Sequence, residues 1–544
     1  MKKLKIYILA ILASAVIFTS CDEQELLIDQ RKADNPSPDT SAPTGTAGTV
    51  NLSKYVSIGN SLTAGYMDGA LYTNGQANSF PNMLGTQFQV SGVGGAAFNQ
   101  PDINSANGFS SVGPGNTILG RLILDLSIPG PVPTLGELPS PYTGNRAALN
   151  NFGVPGMRLV DIADAGFAGR NPLFARFASA PGTKSVLEDV LTAQPTFYTF
   201  WLGNNDVLGY AAGGGVDPST ITSNGDFQNA LVTSLGALTQ AGAKGVVVSI
   251  PPLVLAPYFR AVRWNAIPLD AATATQLNTG LAGVNAALTG LTILPSPFNA
   301  AFGISEAEAA KRRISYSAGQ NAVLMFDKDL QDLGPNFDFL VAAQRITPAQ
   351  RAALEPYRQS RPATSSDLPT FLAAREIGRV IGGNASLLSG ISIPIGDRFI
   401  LSGNEVVRTV TARATFNGIL KGVVDQINSQ APGAITIVDV QPTFADLFGL
   451  TPALAQQLAL GLGLDAGAAA ASQARADGAL GIRIEGKTLA PDFGPNGVFS
   501  VDGIHPNPRG SAIIANLIIE KMNATYGSTI PTISVLAKRG ILVN

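Results

Sequence analysis

The sequence predicts an α/β fold built on a parallel β-sheet. Three observations carry that prediction: wholly apolar runs of strand length recur along the chain, stretches with apolar residues at helical spacing lie between them, and polar clusters follow the runs directly. Strands covered by helices on both faces read as continuous apolar runs rather than alternating ones. Sheets of this kind place their sites beyond the carboxyl ends of the strands.

The elements follow in order. KYVSIG (54–59) is a strand ending in glycine, with Asn60 and Ser61 directly after it. SVLEDVLTAQ (185–194) sets Val186, Leu187, Val190 and Leu191 on one helical face. PTFYTFWLG (195–203) is a second strand and leads into Asn204, Asn205 and Asp206. KGVVVSIPP (244–252) is a third, stopped by two prolines. A long helical pattern through Val406, Val407, Val410, Ile419, Leu420, Val423 and Val424 precedes AITIVDV (434–440), a fourth strand. GSAIIANLIIEKMNATYG (510–527) is a helix with Ile513, Ile514, Leu517 and Ile518 on one stripe and Gly527 as its stop. Three stretches stand outside these units and are expected to be insertions that shape or cover a pocket. Residues 99–150 are Pro- and Gly-rich and loop-like, 255–400 mix helices with irregular segments, and 450–490 are Ala-, Leu- and Gly-rich and helical. GLGLDAG (461–467) follows no strand, so it reads as helix and turn rather than as a dinucleotide loop.

The first 21 residues place three lysines before an apolar run from Ile6 to Phe18, then Thr19, Ser20 and Cys21. That is the shape of a secretory signal, and the run is short for a bilayer span. The chain's only cysteine falls where a bacterial lipoprotein signal, which this segment resembles, carries its lipidated residue. Residues 1–21 are therefore expected to be a lipoprotein signal with lipidation at Cys21, and 22–50, rich in Pro, Ser, Thr, Gly and Asp, a flexible tether. Residues 51–544 are expected to form the folded body. The acidic DEQE after Cys21 is similar to surface-export signals of some Gram-negative envelope lipoproteins. The expected location is the cell envelope, on the outer membrane or the surface, with the membrane reached through the lipid alone.

Composition narrows the function. Apolar residues make up 45% of the chain and charged residues 14%, ample for a packed core. With 36 basic and 38 acidic residues there is no basic field to draw in nucleic acid. One histidine and one cysteine supply no zinc ligand set, and no cofactor is expected; a carboxylate site for a cation such as calcium stays open. Composition does not fix the oligomeric state.

The single histidine is His505, in VDGIHP (501–506), three residues after Asp502. Pro506 discourages helix at His505, so a tight turn lets the carboxylate reach one imidazole nitrogen and leaves the other free. A histidine base oriented by a carboxylate activates a serine. YVSIGNSLTAGY (55–66) puts Ser61 just past a strand and before a short helix, where its hydroxyl is exposed. Threonine at 63 removes the G-x-S-x-G elbow of the α/β-hydrolases. NFGVPGMRL (151–159) offers backbone amides at Gly153 and Gly156, and WLGNNDVLG (201–209) a side-chain amide at Asn205, as donors to an oxyanion.

Alone, each stretch is an ordinary turn. Together, GNSLTAG, NFGVPG, GNND and DGIHP, in that order, resemble the four sequence blocks of the SGNH (GDSL-type) esterase and lipase superfamily. The resemblance implies a three-layer α/β/α sandwich around a five-stranded parallel sheet, of the flavodoxin-like kind. It implies Ser61 as nucleophile, His505 as base and Asp502 as the acid that orients it. The amides of Ser61 and Gly156 and the side chain of Asn205 would form the oxyanion hole. The expected activity is hydrolysis of carboxylic esters on lipid-like or carbohydrate substrates. The first block departs from the family's G-D-S by carrying Asn60, and the spacing is longer than in minimal members. The rival expectations are a non-catalytic surface lipoprotein binding glycan or lipid on the same fold, and a structural envelope protein.

Overall fold

The computed structural model describes residues 43–125, 130–450 and 480–541. The signal with Cys21, residues 22–42 of the tether and GLGLDAG with the rest of 451–479 lie outside the described residues.

Five parallel strands form the central sheet: β1 (Tyr55–Gly59), β2 (Asn151–Gly153), β3 (Phe197–Trp201), β4 (Lys244–Val248) and β5 (Ile435–Val438). Their order is β2-β1-β3-β4-β5. The register sets Tyr55 beside Phe197 and Gly59 beside Trp201, so β1 and β3 end level. This order reverses direction at β1, and doubly wound sheets bind ligands at that switch point. Four of the strands are the apolar runs of the sequence. The fifth, β2, is Asn-Phe-Gly, too short and too polar to announce itself.

Ten helices matter here: α1 (Ser61–Ala64), α2 (Phe80–Phe88), α3 (Val186–Thr192), α4 (Asn205–Ala212), α5 (Asn224–Gln240), α6 (Ala271–Thr292), α7 (Gly334–Ala342), α8 (Gly403–Gln430), α9 (Gln441–Leu447) and α10 (Pro508–Tyr526). Alternate strand residues face opposite cores. Tyr55, Phe197, Trp201, Val246, Val248 and Val438 meet Phe80 and Leu84 of α2 and Ala515, Ile518 and Met522 of α10. Val56, Ile58, Tyr198, Phe200 and Val247 meet Val186 of α3, Leu231 of α5 and Leu420 of α8. Phe227 and Phe416 stack at 4.0 Å where α5 crosses α8. Each buried Ile or Phe contributes roughly 1.5–3 kcal/mol, and helices therefore cover both faces of the sheet.

Caps set the helix ends. Ser185 and Glu188 exchange capping hydrogen bonds at α3. The side chain of Asn507 accepts from Arg509 and Gly510 at the start of α10, and Gly527 closes it.

Residues 43–50, expected as the last part of the tether, pair with the body: Gly45 N–H donates to the Ser91 carbonyl at 2.9 Å and Thr49 N–H to that of Tyr526 at 2.9 Å. The loop-like 99–150 stretch contains three antiparallel strands, Ser111–Val112, Ile118–Leu124 and Pro131–Leu135. Residues 255–400 have their own cores, one packing Leu281 and Leu288 of α6 against Phe337 of α7. Within the stretch expected to be helical to 490, Ile482–Ile484 and Lys487–Leu489 instead make a hairpin. Its two turn residues, Glu485 and Gly486, have φ of 50° and 80°, which a two-residue hairpin turn requires and a helix forbids. Among the described residues no helix is long and apolar enough to cross a membrane.

Candidate active site

β1 delivers Ser61. The strand ends at Gly59, and the side-chain oxygen of Asn60 accepts the Leu62 N–H at 3.2 Å, capping α1. A carboxamide does here what an aspartate would, a cap worth about 1 kcal/mol. Ser61 is the first residue of α1 and is 8% exposed. β2 braces this turn. Asn151 donates to the Thr63 carbonyl at 3.0 Å, and a Cβ on Gly153 would lie 2.3 Å from the Ala64 nitrogen, so only glycine lets strand and turn approach so closely.

The loop before α10 holds His505. Its Nδ1 lies 2.8 Å from Asp502 Oδ2. An ionised carboxylate only accepts, so Nδ1 is the donor of that bond and Nε2 is the ring nitrogen left without it. The Asp502 carboxylate also accepts N–H bonds from Ile504 at 2.8 Å, His505 at 2.9 Å and Gly69 at 2.8 Å. Burial pushes this carboxyl up, but the His505 ring and the N–H donors outweigh burial and hold it at about 2. Gly503, between the two, has φ of 75°, the left-handed geometry that folds the loop back far enough for Asp502 to reach the ring. The His505 ring lies 4.9 Å from the ring of Tyr66, whose hydroxyl donates to the Gly69 carbonyl.

Asp68 ties the two loops together. Its N–H donates to Ser500 Oγ at 3.0 Å, and its carboxylate accepts the Val501 N–H at 3.1 Å and the Tyr72 hydroxyl at 2.6 Å.

The predicted oxyanion donors sit on two linked loops. Asn205 Nδ2 donates to the Met157 carbonyl at 3.0 Å, which sets its amide beside the residue after Gly156. Asp206, fully buried, accepts the Leu159 N–H at 2.7 Å and the Thr222 hydroxyl at 2.8 Å, locking the same loop to the start of α4. Among the described residues no acceptor takes the N–H of Ser61 or of Gly156. The Gly153 N–H is taken, by Asn151 Oδ1 at 2.9 Å, and is not a free donor.

Ser61, Asn205 and His505 line one cavity, with Asn60 and Asn204 beside them. The Nδ2 of Asn60 and both side-chain polar atoms of Asn204 are buried without a partner. No hydrogen bond joins the Ser61 hydroxyl to the His505 ring in this structure. Asp502 meets His505 directly, whereas Gly156 stands on the neighbouring loop rather than among the cavity residues. Sequence reasoning did not single out Asp68, Asn151 or the buried role of Asp206. Asp206 and Asn151 stand inside recognisable blocks, but Asp68 carries no local signal. No family model matches the chain, and neither a curated protein nor a solved structure does.

Proposed function

We propose that the protein is a serine hydrolase of carboxylic esters, of the SGNH (GDSL) type. The observation that carries the reading is that His505, held by Asp502 at 2.8 Å, lines the same cavity as Ser61. His505 Nε2 takes the Ser61 proton as Oγ attacks the ester carbonyl. The oxyanion is met by the N–H groups of Ser61 and Gly156 and the free hydrogen of Asn205 Nδ2, each such donor worth about 10²–10³ in rate. Collapse breaks the bond to the alcohol oxygen, which leaves with the proton from His505, and the acyl group stays on Ser61. A water, deprotonated by the same nitrogen, releases the acid and restores the hydroxyl. The serine–histidine bond forms when substrate is bound, as is common for such bonds. The same proposal places the enzyme in the cell envelope on a lipid carried by Cys21, supported by the segment before it in the sequence.

A fluorophosphonate reagent and p-nitrophenyl butyrate test the chemistry. The expected result is covalent labelling at Ser61 and turnover that falls roughly 10³-fold or more in Ser61→Ala and His505→Ala. Equal background rates in all three proteins, without labelling, would point to a binding protein instead.

A further inference from the structure

We infer that the cavity beside Ser61 is a pocket for the first carbons of an unbranched acyl chain, so that the substrates are aliphatic acyl esters rather than acetylated sugars. The inference rests on the hydrolase reading above. Three features of the cavity carry it.

The first is its chemistry. Among the described residues, the wall carries, apart from Asn60, Ser61, Asn204, Asn205 and His505, only the hydroxyl of Thr443 and the indole of Trp201, whose N–H is already given to the Ser249 carbonyl, and no Asp, Glu, Lys or Arg. A sugar hydroxyl placed there would lose its water without gaining partners, whereas methylene groups lose nothing. The second is α10. Ala512, Ala515, Ile518, Ile519 and Met522 bury one face of this helix in the sheet core. Ile513, Ile514 and Leu517 form a second apolar stripe that is only partly buried and lines the cavity. A helix in a two-sided sandwich needs one apolar stripe; the second has the cavity as its counterpart. Leu208 of α4 and Phe444 of α9 also line the cavity, as does Phe259 from the segment after β4.

The third is size. The cavity measures about 90 Å³. On the scale where an apolar cavity of about 150 Å³ holds the six carbons of benzene, that encloses roughly the first three or four carbons of a chain. The pocket is assigned to the acyl side because that group remains on Ser61 while the alcohol must depart; an apolar recess suits the group that stays.

Two ester series on the wild-type protein test the inference. With p-nitrophenol as the constant alcohol, kcat/KM is expected to rise about fourfold per methylene at most over the enclosed carbons, to be at least about tenfold higher for octanoate than for acetate, and to rise no further by palmitate. With acetate as the constant acyl group, methyl, butyl and octyl alcohols are expected to differ by only a fewfold. Calorimetry adds a readout that needs no turnover: Ser61→Ala is expected to bind sodium octanoate and not sodium acetate. Ile514→Trp and Leu208→Trp, on two different helices lining the cavity, are each expected to lower the octanoate-to-acetate ratio of kcat/KM at least about tenfold. Acetate hydrolysed as well as octanoate, or a length dependence confined to the alcohol series, would overturn the acyl pocket and leave the hydrolase standing. Octanoate binding without turnover or serine labelling would keep the pocket and remove the hydrolase.

Discussion

Asp502 receives four hydrogen bonds, from the imidazole and from the N–H groups of Ile504, His505 and Gly69. Its carboxyl is held at about 2 against an ordinary 3.8. Two predictions follow from that depression. First, Asp502 stays ionised far into the acid range, so the acid limb of log kcat/KM against pH is expected to have a slope of one down to about pH 3; a slope of two would mean that Asp502 protonates within that limb. Second, a depressed folded-state value stabilises the fold above pH 3.8 and the contribution is lost as pH falls towards 2. Asp502→Asn is thus expected to lose about 2 kcal/mol at pH 5 and above in denaturant titrations, with the difference shrinking below pH 4. At this scale the candidate pair was legible, because one histidine in the whole chain stood three residues from an aspartate. The donors that fix Asp502 were less so. Gly69 lies more than four hundred positions away and carries no chemical signature, since any residue has an N–H to give.

Among the elements, the loop carrying Gly156 is held from α4 by Asn205 and Asp206. Burial raises the Asp206 carboxyl above its ordinary value, opposed by the Leu159 N–H and the Thr222 hydroxyl. The two bonds therefore matter more than the charge. Asp206→Ala strands a buried N–H and a buried hydroxyl and is expected to cost about 2–4 kcal/mol. Asp206→Asn keeps both partners, with its amide donating to Thr222, and is expected to stay within about 1 kcal/mol of wild type. Thermal denaturation and kcat for butyrate check both, since release of the Gly156 loop should lower kcat in the alanine variant alone. A loss as large for asparagine would show that the charge itself is needed. The helices were read correctly where one apolar face met one core, as in α3 with its capping pair. On α10 the sequence showed a single stripe. The structure divides it, giving Ile518 to the core and Ile513, Ile514 and Leu517 to the cavity. Periodicity records that a face is apolar, not what it packs against.

Across the whole molecule, the irregular stretches converge on the candidate site. The Leu122 N–H, from the 99–150 stretch, donates to the Asp68 carbonyl at 2.6 Å, and Asp68 in turn clamps the loop before Asp502. The Tyr258 N–H, from the 255–400 stretch, donates to the Gly503 carbonyl at 2.9 Å. Ile482, in the hairpin near 490, stands on the cavity wall. Four of the five strands of the parallel sheet were legible because they are locally apolar. This convergence was not, because it rests on backbone groups whose partners are set by the path of the chain. Gly503 tests whether the convergence matters. Its φ of 75° and a Cβ position 2.9 Å from the Tyr258 nitrogen mean that a methyl group there would both strain the backbone and push the second stretch away. Gly433, with φ of 71° and open space around its Cβ position, carries the strain alone. Gly433→Ala is expected to cost about 1–2 kcal/mol and to leave butyrate turnover intact. Gly503→Ala is expected to cost more than that and to lower kcat at least about tenfold, because moving the loop moves Asp502 against His505. Equal losses of stability in the two variants, with turnover intact in both, would mean that the 255–400 stretch merely rests on the loop and does not position it.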